Sequence, residues 1–237
     1  MAALNDRLKA IADNIEKGQT MADIGSDHGF LPLYLAENGV CPEIIVTDIS
    51  RASLAKAKTA FVAYTGVSAV DFRVGDGLCP LREGEADVVV IAGMGGLSIT
   101  RILEADISKT LTFGKYIFQP RSGAGKLRYW LEAAEFSIIA ESLAAEGKFI
   151  CEVIAAIPPR AVTKLPSLNG YNDEIMYEVP SDPRACDDEL YIKFLNKKLN
   201  IENNVFKSMI SGKIDNTAKL DRTSDRIKFL KERLGRL

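Results

Sequence analysis

The segment MADIGSDHGF, residues 21 to 30, sets Asp23, Gly25, Ser26, Asp27, His28 and Gly29 in the pattern D-x-G-x-D-x-G, where an apolar stretch meets a glycine turn. Such a turn can bring backbone N–H groups and a helix N-terminus to one ligand, and Pro32 suits the start of the helix that follows. The spacing departs from G-x-G-x-x-G: the third glycine is missing, and two carboxylates stand in the loop, where they would repel a pyrophosphate. A ligand carrying a sulfonium and an ammonium would be attracted there, which is the electrostatic difference between S-adenosylmethionine and NAD. His28 is the sole histidine. Contact with the ligand is expected of it, as a structural hydrogen bond or, alternatively, as a proton acceptor.

Four further clusters follow at the ends of apolar runs. EIIVTDIS ends at Asp48 and Ile49, about twenty residues past the glycine turn, where a carboxylate can accept both hydroxyls of a ribose. VDFRVGDGL sets Asp76 between Gly75 and Gly77, so a carboxylate can approach an adenine amino group unobstructed. Singly, each aspartate would serve equally as a helix cap or turn residue; in succession they point to one cofactor. ADVVVIAGMGG opens into Gly93, Met94, Gly95 and Gly96, a side-chain-poor corner expected to face the transferable methyl, with Gly96 equally suited to helix packing. Gln119, Pro120 and Arg121 supply an amide that can donate to and accept from a base edge, plus a cation; a turn proline beside a solvated arginine is the alternative.

These clusters need a sheet to line them up. Strands are predicted near 20–25, 43–48, 70–74, 87–92, 115–119 and 149–157, with helices near 30–38, 51–65, 96–105 and 124–135 and an amphipathic helix at the start. Runs such as VVVIA are apolar throughout, as strands covered on both faces must be, so an α/β fold with a mostly parallel sheet is expected. The boundaries predicted are 1–165 for this domain, 166–185 for a proline-rich connector, and 186–237 for a helical tail. In the tail Ile192, Leu199 and Phe206 recur every seven residues, as do Leu220, Ile227 and Leu234, with Leu230 and Leu237 on the neighbouring seam. An antiparallel coiled-coil pair is expected, with Gly212 capping its first helix and Asp215 its second.

The 237 residues carry a net charge of only −2, but unevenly: from Arg184 onward there are 13 lysines and arginines against 8 aspartates and glutamates. A basic arm on an acidic cofactor domain suits a phosphate-rich partner, and a basic but merely solvated helix pair fits the composition as well. Cys41, Cys79, Cys151 and Cys186 lie too far apart for a disulfide framework or zinc site. No signal peptide or membrane span is read, so a cytoplasmic protein is expected, with a monomer favoured.

ADIGSDHGFLP at 22–32, IAGMGG at 91–96 and FQP at 118–120 together resemble the bacterial tRNA (adenine-22 N1)-methyltransferase family, from the first helix with Arg7 through the strand at 149–157 and into the tail. The resemblance implies a Rossmann-like class I methyltransferase domain that uses S-adenosylmethionine, without a metal, to methylate N1 of adenine 22 in tRNA. It carries cofactor roles to Gly25, Asp27, His28, Asp48, Asp76 and Gly77; Gly29 stands where alanine is frequent, and Arg121 where asparagine is. Ser26, Gly29, Ile49, Gly93 and Met94 complete the expected cofactor set. Asp27 and Gln119 are the expected catalytic pair. Substrate contact is expected of Arg7, Gly95, Pro120, Arg121, Lys193, Lys197, Lys198 and Lys207. A methyltransferase acting on protein or small molecules, or a non-catalytic cofactor-binding module with a partner-docking coiled coil, would share much of this pattern.

Overall fold

The computed structural model describes residues 4–26, 28–62, 66, 68–172, 174–181, 188–212 and 217–236; Asp27, Cys186, Asp215 and Leu237 lie outside them. Seven strands form one sheet: β1 (Met21–Ile24), β2 (Glu43–Asp48), β3 (Ala69–Val74), β4 (Val88–Gly95), β5 (Lys115–Ser122), β6 (Ser137–Glu146) and β7 (Phe149–Ile157). The order is β3-β2-β1-β4-β5-β7-β6. The first five pair in parallel, while β7 is antiparallel to both β5 and β6. The helices are α1 (Asp6–Ala12), α2 (Phe30–Glu37), α3 (Arg51–Ala60), α4 (Gly96–Ala105), α5 (Ile107–Thr110), α6 (Ala124–Ala133), α7 (Asp188–Ser211) and α8 (Thr217–Leu234).

The central strands are apolar on both sides because both faces are covered. Val88 and Val90 of β4 enter a core with Ile11, Leu35 and Leu54 from α1 to α3. Val89 and Ile91 enter the opposite one, with Ile99, Leu127 and Trp130 from α4 and α6. Burying both faces of such strands contributes roughly 1.5–3 kcal/mol per large side chain, which is what holds their carboxyl ends in one row.

Three expectations need correction. The strand β6 was not anticipated, since SIIAESLAAE is dominated by helix-favouring residues and its alternation is broken by a bulge between Ile138 and Ala140. The pairing with β7 makes it a strand. The helix expected over 51–65 ends at Ala60, where the N–H groups of Phe61 and Val62 donate to Lys58 O and Thr59 O and the Phe61 ring meets Phe72 edge-on at 5.5 Å. In the tail the buried seam is Leu195, Glu202 and Met209 against Thr223 and Leu230, so of the residues expected there Leu230, on the neighbouring seam, is fully buried, Ile192 is exposed, and Leu199, Phe206, Leu220, Ile227 and Leu234 are half-buried.

The two tail helices run antiparallel, as Met209 meets Thr223 and Glu202 pairs with Arg226 at 2.7 Å. The seam shifts because α7 must also face the sheet. Tyr191, Phe194, Leu195 and Leu230 share a third core with Leu143 of β6 and Val179, with Ile150 of β7 packed against it.

Candidate active site

A cavity of about 630 Å³ opens beyond the carboxyl ends of β1, β4 and β5, walled on the far side by the β6–β7 hairpin and α1. Its position is the crevice where ligands of open α/β sheets bind. Its lining takes in Arg7, Asp23, Gly25, Ser26, His28, Gly29, Gly93, Met94, Gln119, Pro120 and Arg121, together with Glu146, Phe149, Ile150 and Cys151 of the hairpin.

The floor is the glycine turn after β1. Gly25 adopts φ +76°, and a Cβ there would collide with Met94 Cε, so the backbone passes where a side chain cannot. Gly25 and Ser26 donate to Thr47 O at 2.8 and 3.1 Å, Gly29 donates to Ser26 O at 2.6 Å, and Gly29 at φ +67° starts α2. The Ser26 hydroxyl is buried at the cavity lining, beside the Asp23 carboxyl. Beside it Asp23 is buried, its pKa pushed up to about 6 by burial, with the Ser26 hydroxyl pulling it down, the Asp48 charge up and Arg7 down. His28 is exposed and stacks on Phe30 at 5.4 Å.

The far wall is a polar chain across four elements. Gln119 is buried and its Oε1 accepts from Gly93 N–H at 3.2 Å and from Arg7 Nη1 at 3.3 Å, while its Nε2 donates to Pro120 O at 3.2 Å. Arg7 Nε in turn donates to Glu146 Oε1 at 2.9 Å, as does Asn5 Nδ2 at 2.9 Å. Gln119, expected to read a base edge, thus has its amide engaged inward, and Arg7, expected on phosphate or sugar, is held by two protein partners. Gly93, at φ +75°, has open space before it, whereas a Cβ on buried Gly96 would collide with Gly123 O, so the glycine run divides between an opening and a packing contact. Burial and the neighbouring Glu146 push the Cys151 thiol pKa up, which leaves it a poor nucleophile.

Not all expected residues reach this wall. Asp48 lies at the neighbouring strand end, where its Oδ1 accepts from Ser50 N–H at 2.7 Å, and Ile49 beside it is 69% exposed. Asp76 is exposed just past β3, and Gly77 packs toward Ile102. Parallel pairing keeps these ends in register with Asp23 along one edge of the sheet. Gly95 lies at the base of α4, outside the wall. In the tail Lys193 pairs with Glu189 at 2.7 Å and Lys198 with Glu178 at 3.2 Å; Lys207 is exposed, and Lys197 leans over Phe149 at 5.8 Å. Asp27 lies outside the described residues. The sequence reading missed the contribution of the hairpin because it missed β6; the only signal was the Gly147 turn between two stretches that can pair.

Among the described residues no group of three or more histidine, cysteine or carboxylate side chains could hold a metal, and no helix is long and apolar enough to cross a membrane.

Comparison with known proteins matches residues 4–154 to a family model described as "Methyltransferase domain". The tRNA (adenine(22)-N(1))-methyltransferase of Bacillus subtilis is 38% identical over 154 residues, 65% of this chain and 64% of that protein, so the match spans just under two thirds of the relative. The crystal structure of the B. subtilis M1A22 tRNA methyltransferase superposes with a TM-score of 0.79 and 29% identity, covering 99% of this chain and 100% of that one. M. capricolum TrmK in complex with S-adenosyl-homocysteine shares the fold at a TM-score of 0.79 and 23% identity over 99% of each chain. The chain belongs to the methyltransferase domain family.

Proposed function

We propose that the chain transfers a methyl group from S-adenosylmethionine to N1 of adenine 22 in tRNA. The observation that carries this reading is the cavity itself, whose glycine-turn floor holds Asp23 and whose lining includes the side-chain-poor, open Gly93 corner. The residues present fit the cofactor: buried Asp23 offers a negative charge to a cation, the Ser26 hydroxyl lines the cavity beside it, and Gly25 lets the ligand approach the backbone. Asp48 and Asp76, on the adjoining strand ends, suit a ribose and an adenine, and Asp27 remains the proposed orienting carboxylate. When bound, S-adenosylmethionine supplies an electrophilic methyl on a sulfonium.

Adenine N1 has a free lone pair at neutral pH, so it attacks without prior proton removal, and the product base becomes cationic. No general base is required of the chain. Its task is alignment, a contribution of about 7–11 kcal/mol when the reacting atoms are held in line. Gln119 serves by fixing the Gly93 corner to Arg7, and through Arg7 to the hairpin at Glu146. Because N1 lies on the Watson–Crick edge, a paired adenine must be opened or extruded first, at a cost of about a few kcal/mol met by contacts elsewhere on the RNA. Arg121, Lys193, Lys197, Lys198 and Lys207 are the proposed contacts.

Incubation with labelled S-adenosylmethionine and unmodified tRNA, then nucleoside analysis, tests this. Label in 1-methyladenosine, lost when adenine 22 is replaced by guanine, is expected; label in protein or a small molecule alone overturns it.

A further inference from the structure

Phe149 lines the cavity and is 57% exposed, so its ring is open to a ligand there. Two ammonium groups attend it, Lys148 Nζ at 5.4 Å and Lys197 Nζ at 5.8 Å from the ring centroid, one from the hairpin turn and one from α7. Its backbone is firmly held. Phe149 opens β7 directly after a turn through Gly147 at φ +58°, pairs with Glu146, and is followed by Ile150, which packs against the tail core. Glu146 is itself bonded to Asn5 and Arg7.

Sheet order separates this ring from the cofactor carboxylates. Asp23, Asp48 and Asp76 belong to β1, β2 and the residues just past β3, whereas β7 lies on the opposite side of β4 and β5. The ring therefore flanks the half of the cavity left for the substrate. An exposed aromatic ring with cations beside it is the combination by which proteins hold an unstacked base while countering its phosphates.

We propose that Phe149 is a stacking platform for an unpaired base of the RNA at the cavity mouth, with Lys148 and Lys197 neutralising the adjoining phosphates; this rests on the reading of the chain as a tRNA methyltransferase. Phe149 is a substrate-positioning residue, and it links the tail to the site because one of its two cations is carried by α7.

The test compares full-length wild type with Phe149→Ala, Phe149→Trp and the pair Lys148→Ala and Lys197→Ala, using unmodified tRNA transcript. Phe149→Ala is expected to weaken tRNA binding about ten-fold and raise KM for tRNA by a like factor. Its melting temperature and its S-adenosylmethionine affinity by calorimetry are expected to stay at wild-type values. Phe149→Trp is expected to restore binding and to show fluorescence quenching on tRNA addition beyond that of wild type, whose single tryptophan, Trp130, is buried. Each lysine replacement is expected to lower the salt slope of binding by about one. Wild-type tRNA affinity in Phe149→Ala, unquenched binding by Phe149→Trp, or a loss confined to cofactor affinity would overturn the proposal while leaving tRNA methylation standing. Wild type that neither binds nor methylates tRNA would overturn both.

Discussion

Asp23 holds its carboxyl group inside the cavity floor, and burial, against the pull of Ser26 and with the push of Asp48, raises its pKa from 3.8 to about 6. The folded chain thus binds this proton more tightly than the unfolded one, so stability contributed by Asp23 is present below the unfolded value and is lost as pH rises through about 6. Asp23→Asn removes that dependence: relative to wild type the variant is expected to gain on the order of 3 kcal/mol between pH values below 3.8 and above about 6, read from denaturant midpoints. A cationic cofactor favours the ionised form, so S-adenosylmethionine affinity in wild type is expected to climb with pH and level above about 6, a climb flattened in Asp23→Asn and measurable by calorimetry across pH. Gly25 sits in the left-handed region with Met94 where a Cβ would go. Gly25→Ala is expected to cost about 1–3 kcal/mol in thermal unfolding and to lose most cofactor binding.

At the scale of elements, Arg128 fastens α6 to the hairpin. Its guanidinium is buried and pairs with Glu141 of β6 at 2.6 Å and Glu152 of β7 at 2.8 Å, and it also donates to Tyr177 O at 3.0 Å. Burial opposes its charge, but the two carboxylates more than offset this and hold its pKa above the ordinary arginine value. Removing one partner from such a buried set strands the others. Arg128→Ala is expected to destabilise the chain by about 3–5 kcal/mol in denaturant unfolding and to loosen the wall formed by Glu146 and Phe149.

On the scale of the whole molecule, the tail is tied to the sheet, because Leu195 and Leu230 share a core with Leu143 of β6 and Val179 of the intervening segment. A tail unfolding separately would expose that shared surface. Thermal unfolding followed by Trp130 fluorescence and by far-ultraviolet circular dichroism is therefore expected to show one coincident transition. Leu195→Ala is expected to move both signals together, at a cost of about 2–5 kcal/mol; a low-temperature helical transition without change at Trp130 would contradict this coupling.

Periodicity and glycine spacing along the chain were enough to locate the parallel strands, the helices that cover them and the turn at Gly25, because burial on two faces and left-handed turns impose strong local composition. The same local logic put Asp23, Asp48 and Asp76 at successive strand ends. It could not supply β6, whose residues favour a helix until β7 pairs with them, nor the bonding of the Gln119 Oε1 and of Arg7, whose partners lie 26 to 139 residues away. The tail seam followed from tertiary packing too: heptad spacing names a stripe, but which neighbouring stripe is buried depends on the sheet that α7 must also cover. Local chemistry is written in neighbouring residues, whereas the far wall of the cavity exists only once distant segments meet.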